Sequence, residues 1–229
     1  MNHATLHSPG PVLLAGGGDH SPDLLQSLLP QCTTRIAADG GAAALLSAGV
    51  MPDAVIGDLD SLSENTRAQI PAARIHHISE QDSTDFDKCL RNISAPLIYG
   101  TGFLGPRIDH QLASLSVLTR RADRRCILAD ASDAVALVPP QLELDLAPGN
   151  RVSLYPMGPV RGESEGLRWP LAGLDFAPHL RTGTSNEASA ARVTLRFDTP
   201  LMLIILPVAA LPALARGLLS APDAWPAPE

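Results

Sequence analysis

The sequence predicts an α/β protein in two parts, an N-terminal parallel sheet wound with helices and a C-terminal antiparallel β-sandwich. Three observations lead there. Over roughly the first 130 residues, short apolar runs end in Asp, Gly or Ser and are followed by helical stretches, the alternation of a parallel sheet. Beyond about Asp130 helical periodicity stops, and short alternating runs are separated by Pro-, Gly- and Asn-rich turns. Finally, 45% of the 229 residues are hydrophobic but only 3% aromatic, so a sizeable core can form and must be mostly aliphatic.

The first part runs over residues 1–130. Val12 to Ala15 reads as the first strand, and Gly16-Gly17-Gly18 follows it. Those glycines suit a tight turn at least as well as a phosphate cradle. Ser21-Pro22 then opens a helix to Leu29. Arg35 to Ala38 is a second strand ending in Asp39-Gly40-Gly41, with a helix from Ala42 to Ala48 stopped by Gly49. Ala54 to Ile56 is a third strand, and Leu62 to Ile70 a helix with Ser63 near its start. Arg74 to Ile78 is a fourth strand. Thr84 caps a helix whose first turn holds Asp85 and Asp87. Pro96 to Tyr99 is a fifth strand, followed by a helix with Ile108, Leu112, Leu115 and Leu118 on one face. Arg125 to Ala129 closes a Rossmann-like sheet.

The second part, residues 131–229, contains strand-like runs at Ala134 to Val138, Arg151 to Tyr155, Arg192 to Phe197 and Leu201 to Leu206. No Pro/Ser linker precedes it, and no repeat is visible. From Ser220 onward, Pro222, Pro226 and Pro228 predict a flexible C-terminal tail.

Charge and cysteines exclude several function classes. A formal charge of −7 opposes a general binder of nucleic acid or of an anionic membrane. Lys88 is the only lysine, and no G-K-[ST] occurs, so there is no P-loop. Cys32, Cys89 and Cys126 are odd in number and far apart, as in a reduced cytoplasmic protein. Met1 to Pro11 lacks a leader pattern, and Pro207 and Pro212 interrupt the longest apolar run, so a soluble protein with no membrane span is expected.

The chemistry concentrates at Asp53 to Ser61, D-A-V-I-G-D-L-D-S. On an extended chain Asp58 and Asp60 point the same way, a repulsion that a divalent cation relieves. A polar turn with Ser61 as a cap explains that stretch equally well. The other strand ends favour the cation. Asp39 also lies at a carboxyl end, where parallel sheets bind ligands. A capped helix accounts for one or two of Asp82, Asp85 and Asp87, not readily for all three. Asp85 therefore reads as functional and Asp87 as structural. Residues 100–110, G-T-G-F-L-G-P-R-I-D-H, combine glycines with Arg107, Asp109 and His110 at a loop–helix junction, which favours a nucleotide site. His110 alone reads as a supporting residue. In the second part, Trp169 suits the core better than a stacking role, and Ser185 and Asn186 suit either a ligand or a turn.

With these residues in view, the chain resembles the bacterial thiamine pyrophosphokinases over about residues 10–206. Four segments carry the resemblance: A-D-G-G-A from Ala38, P-D-A-V-I-G-D-L-D-S from Pro52, D-S-T-D-F-D-K from Asp82 and G-F-L-G-P-R-I-D-H from Gly102. G-L-R-W-P-L and T-S-N-E resemble the family's second domain. Pro106 stands where the family usually has a second glycine, and Gly183 replaces a frequent serine.

The resemblance implies transfer of a pyrophosphoryl group from ATP to thiamine, giving thiamine diphosphate and AMP. It implies a homodimer with active sites between subunits, and Mg2+ with ATP as co-substrate. Asp58, Asp60 and Asp85 fall at the metal positions. Asp39, Gly40, Gly102, Gly105, Arg107 and Asp109 fall around the nucleotide and the transferred group. Ser185 and Asn186 fall at thiamine contacts, with Trp169 in the adjoining motif. Asp109 or Asp85 would take the hydroxyl proton. The rival readings are a pyrophosphokinase for another alcohol such as a hydroxymethyl pterin, a metal-dependent phosphohydrolase, and a sensor that binds thiamine diphosphate without turnover.

Overall fold

The computed structural model describes residues 6–222 and 224–226. The chain forms two compact units, Met1–Val117 with Leu128–Ala131, and Leu118–Ile127 with Ser132–Glu229.

In chain order the first unit begins with β1 (Leu6–His7), β2 (Val12–Ala15), α1 (Pro22–Leu28), β3 (Thr34–Ala38), α2 (Ala42–Ser47) and β4 (Ala54–Gly57). There follow α3 (Glu64–Gln69), β5 (Ile75–His77), α4 (Asp85–Asn92), β6 (Ile93–Ser94) and β7 (Ile98–Thr101), and then α5 (Ile108–Arg120) and β8 (Cys126–Ala129), whose residues are divided between the two units. Strands β7-β2-β3-β4-β5 pair in parallel in that order. Chain order thus runs outward from β2 on one side and returns to its other side at β7. The crevice between diverging strands is where ligands bind in such sheets. β2, β4 and β7 are buried along their whole length, the mark of strands covered on both faces. β1 and β6 make a separate parallel pair that no sequence pattern announced.

Local chemistry starts the helices as expected. Ser21, Ser63 and Thr84 accept the N–H groups of Leu24, Thr66 and Asp87 respectively. Two expectations are corrected. The fifth strand is Ile98–Thr101, two residues later than the apolar run suggested. The predicted apolar face of α5 is not a core face throughout, because Ile108 and Leu112 are 71% and 56% exposed while Leu118 is buried.

The second unit holds β9 (Asp133–Leu137), β10 (Gln141–Asp145), β11 (Arg151–Pro156), β12 (Val160–Glu165), β13 (Asp175–Phe176) and β14 (Gly183–Glu187). It ends with β15 (Arg192–Phe197), β16 (Met202–Pro207) and α6 (Leu211–Ser220). All its strand pairs are antiparallel, in the orders β10-β15-β12-β13 and β14-β11-β16-β9. This is the expected sandwich class. The apolar segment after Pro207 is helical, and Gly217 of α6 lets the helix approach β10: a Cβ there would lie 2.7 Å from the Glu143 carbonyl. Beyond Ser220, the Ala221 carbonyl accepts from Arg125 and the Trp225 indole donates to the Val138 carbonyl. Residues 223 and 227–229 of the expected tail, and 1–5 of the N-terminal segment, lie outside the described residues.

Candidate active site

The acids gather at the ends of β3 and β4. β3 stops at Ala38, and the next residue, Asp39, turns into the left-handed region with φ +43°. Asp tolerates that conformation better than most residues. Its side chain is buried, one oxygen accepts the Ser61 N–H at 3.1 Å, and the other oxygen has no hydrogen-bond partner. After β4, Leu59 has φ +66°, so the chain between Asp58 and Asp60 is a turn, not the extended segment expected. The turn still brings the two carboxylates together. Oxygens of Asp39, Asp58 and Asp60 all lie within 4.8 Å of one another.

Asp85 enters from the first turn of α4. Its Oδ1 accepts the Asp58 N–H at 3.3 Å and the Lys88 ammonium at 3.0 Å. Gly57 permits this approach, since a Cβ there would sit 3.0 Å from both Asp85 Oδ1 and the Asp39 Cβ. Lys88 also donates to Asp58 Oδ2 at 2.7 Å and is 0% exposed. Lys88 stands out in the sequence as the only lysine, with no role attached to it. The available signal was its spacing, three residues after Asp85 on one helix. Asp87, read as structural, is buried in the capping turn, its N–H donating to Thr84.

The loops after β2 and β7 pack against each other, and the loop after β3 lies against the loop after β4. A Cβ on Gly16 or Gly18 would come within 2.7 Å of the Gly102 carbonyl, so these glycines serve the close packing of two loops. A Cβ on Gly40 would meet the Ser61 carbonyl at 3.3 Å, and one on Gly105 would lie 3.9 Å from the Gly18 Cα. His20, which the sequence did not single out, staples two of the loops. Its Nε2 is 2.8 Å from the Gly16 carbonyl and its Nδ1 3.1 Å from Thr101 Oγ1. Nε2 must carry the proton, because a carbonyl only accepts. Arg107 and Asp109 are 66% and 65% exposed and bond each other at 2.7 Å; no described bond ties them to the acids. His110 is exposed, 3.9 Å from Asp109.

In the second unit, Trp169 is corrected from core to surface: it is 52% exposed, with the Arg168 guanidinium 4.9 Å from its ring centre. Asn186 lies beneath it, 5% exposed. Its amide oxygen accepts the N–H of Trp169 and of Glu187, and its nitrogen donates to the Trp169 carbonyl at 2.8 Å. Ser185, at φ +61°, donates its N–H to Ser153 Oγ at 3.0 Å. Asn186 therefore shapes the Trp169 loop, whereas Ser185 and Trp169 present free surface.

Residues 25–128 match the family description "Thiamin pyrophosphokinase, catalytic domain", and residues 140–202 match "Thiamin pyrophosphokinase, vitamin B1 binding domain". The chain belongs to the thiamin pyrophosphokinase family. It is 28% identical over 173 residues to thiamine pyrophosphokinase 1 of Arabidopsis thaliana, covering 67% of this chain and 65% of that one. The match thus spans just under two thirds of that relative. To the thiamine pyrophosphokinase of Bacillus subtilis it is 26% identical over 206 residues, covering 84% and 96%. The solved structure of that name from B. subtilis superposes with TM-score 0.71 at 23% identity, covering 86% of this chain and 98% of that one. The thiamin pyrophosphokinase of Candida albicans superposes with TM-score 0.73 at 18% identity, covering 90% and 94%. Among the described residues of this family member, no helix is long and apolar enough to cross a membrane.

The electrostatics of this thiamin pyrophosphokinase family member follow from the crowding of its acids. Burial, then the charges of Asp85 and Asp60, push the Asp39 carboxyl up to about 6 against the Ser61 N–H. The Lys88 ammonium holds Asp58 below the usual carboxylate range. Burial opposes the Lys88 charge, but its bonds to Asp58 and Asp85 prevail and raise its pKa. The donor set fits a hard divalent cation. Three carboxylates converge, and a buried Asp39 oxygen without a partner is costly unless something meets it.

Proposed function

We propose that this chain transfers a pyrophosphoryl group from ATP to the hydroxyethyl oxygen of thiamine, giving thiamine diphosphate and AMP. One observation carries the reading: Asp39, Asp58 and Asp60 converge at strand ends in a chain whose halves match the catalytic and vitamin B1 binding domains in order. Asp39, Asp58 and Asp60 would hold Mg2+; Asp85, expected as a third ligand, would stand beside them with its Oδ1 already taken by the Asp58 N–H and the Lys88 ammonium. When bound, the metal offsets polyphosphate charge and draws charge from the leaving AMP. The loops that carry Gly40, Gly102 and Gly105 would offer backbone N–H groups to the triphosphate.

Arg107 exchanges Asp109 for phosphate oxygens at little cost, because the pair is exposed. Asp109 and Asp85 are the candidates to take the hydroxyl proton, and Arg107 keeps the Asp109 carboxyl below its ordinary range. The alcohol oxygen attacks the β-phosphorus in line with the departing AMP. In the second unit, the exposed Trp169 offers a ring face to the cationic thiazolium, Ser185 a hydroxyl, and Asn186 holds the loop that carries the indole.

A homodimer with active sites between subunits belongs to this reading, and the exposed Ile108 and Leu112 offer apolar surface for the contact. The three buried free thiols, Cys32, Cys89 and Cys126, support a cytoplasmic setting. The test is the purified chain with Mg2+, ATP and thiamine, products resolved. AMP and thiamine diphosphate in equal amounts are expected. Phosphate release without thiamine would make it a hydrolase, and tight thiamine diphosphate binding without AMP a sensor.

A further inference from the structure

The only lysine in the chain is also among its largest fully buried side chains, and it ends between two carboxylates. Burying an ammonium is costly unless it is paired and hydrogen-bonded, and Lys88 meets that condition only through Asp58 and Asp85 among the described residues. These acids come from different elements, the loop after β4 and the first turn of α4. The ammonium occupies Asp58 Oδ2, while among the described residues Asp58 Oδ1 has a single long bond, from the Asp60 N–H at 3.4 Å. The buried, unpartnered Asp39 oxygen belongs to the same acid group.

We propose that Lys88 is a positioning residue: by holding Asp58 Oδ2 and Asp85 Oδ1 together, it keeps the second Asp58 oxygen aimed at the cation shared with Asp39 and Asp60. The proposal rests on the cation site of the preceding section, though not on thiamine as the acceptor. It has a consequence of definite sign. A buried positive charge beside a cation site repels the cation, so charge alone requires that removing Lys88 tighten cation binding. Positioning requires the reverse, because a released Asp58 carboxylate swings away from its neighbours.

The test uses the full chain and Mn2+ as the probe, with free Mn2+ read by electron paramagnetic resonance in the absence of nucleotide. Folding is checked by thermal melting and gel filtration. Lys88→Met should weaken Mn2+ binding tenfold or more. It should also lower kcat at least a hundredfold while KM for thiamine changes less than about twofold, since thiamine is expected in the other unit. Lys88→Gln, whose amide can still donate to Asp58, should lose less on both counts.

A folded variant that binds Mn2+ as tightly as the wild type, or more tightly, overturns the proposal. If neither variant folds, Lys88 serves the fold alone and the proposal also fails. A wild-type chain that binds no Mn2+ removes the cation reading and this proposal together. A wild-type chain that binds Mn2+ but makes no thiamine diphosphate removes the proposed activity only, and the sign of the Lys88 effect still decides.

Discussion

One oxygen of Asp39 accepts the Ser61 N–H at 3.1 Å, which ties the end of β3 to the loop after β4, while its other oxygen is buried without a partner. That half-satisfied carboxylate makes stability depend on pH. The carboxyl rises from an ordinary 3.8 to about 6 in the fold, so the folded chain holds this proton more tightly than the unfolded chain. Its contribution is fully present below about pH 4 and lost as pH rises through 6. Without divalent cation, wild type should lose on the order of 2 kcal/mol relative to Asp39→Asn between pH 4 and 7. Mg2+ should recover part of that loss. Urea unfolding across this range measures it, and a pH-independent difference would show that burial and neighbouring charge do not raise the Asp39 carboxyl.

Asp58→Asn should leave the fold intact, because the new amide oxygen can still accept from Lys88. Turnover with Mg2+, ATP and thiamine should fall at least ~10³-fold, about 4 kcal/mol of transition-state stabilisation. Normal turnover would mean that Asp58 holds no cation.

Gly102→Ala should destabilise the first unit. Gly102 has φ +76°, and a Cβ there would lie 2.5 Å from His20 Nε2 and 2.9 Å from the Gly16 carbonyl. A left-handed alanine costs ~1–2 kcal/mol, and displacing His20 costs about another 1 kcal/mol for its hydrogen bonds. Chemical denaturation should show the sum, and a loss below ~0.5 kcal/mol would mean that the loops separate freely.

Trp169→Ala and Asn186→Ala should differ in kind. The indole is half exposed, so its loss should cost less than ~1 kcal/mol of stability while raising KM for thiamine. Asn186 satisfies two backbone N–H groups and a carbonyl, so its loss should cost ~1–3 kcal/mol and raise KM as well. Equal stability losses would refute this division of labour.

Much of the first unit is readable because its signals are local. A capping serine or threonine acts within one turn, and apolar runs bounded by Asp and Gly mark strands between helices. β12 and β14 escaped because their sequences, VRGESE and GTSNE, carry almost no apolar pattern. Pairing with neighbouring strands holds them. Trp169 departs from the usual burial of tryptophan, and Ile108 and Leu112 from the usual core-facing place of an apolar helical stripe.

By itself the sequence determined that acids stand at the ends of successive strands and that helices follow them. Only the tertiary structure decided that Asp39 joins Asp58 and Asp60, that Leu59 turns the chain between the latter two, and that Lys88 is sealed between Asp58 and Asp85. The reason is the range of the interactions. A cap or an apolar run is set by residues a few positions apart, whereas distances between acids on separate strands depend on strand order and register, which are settled by pairing across the whole sheet.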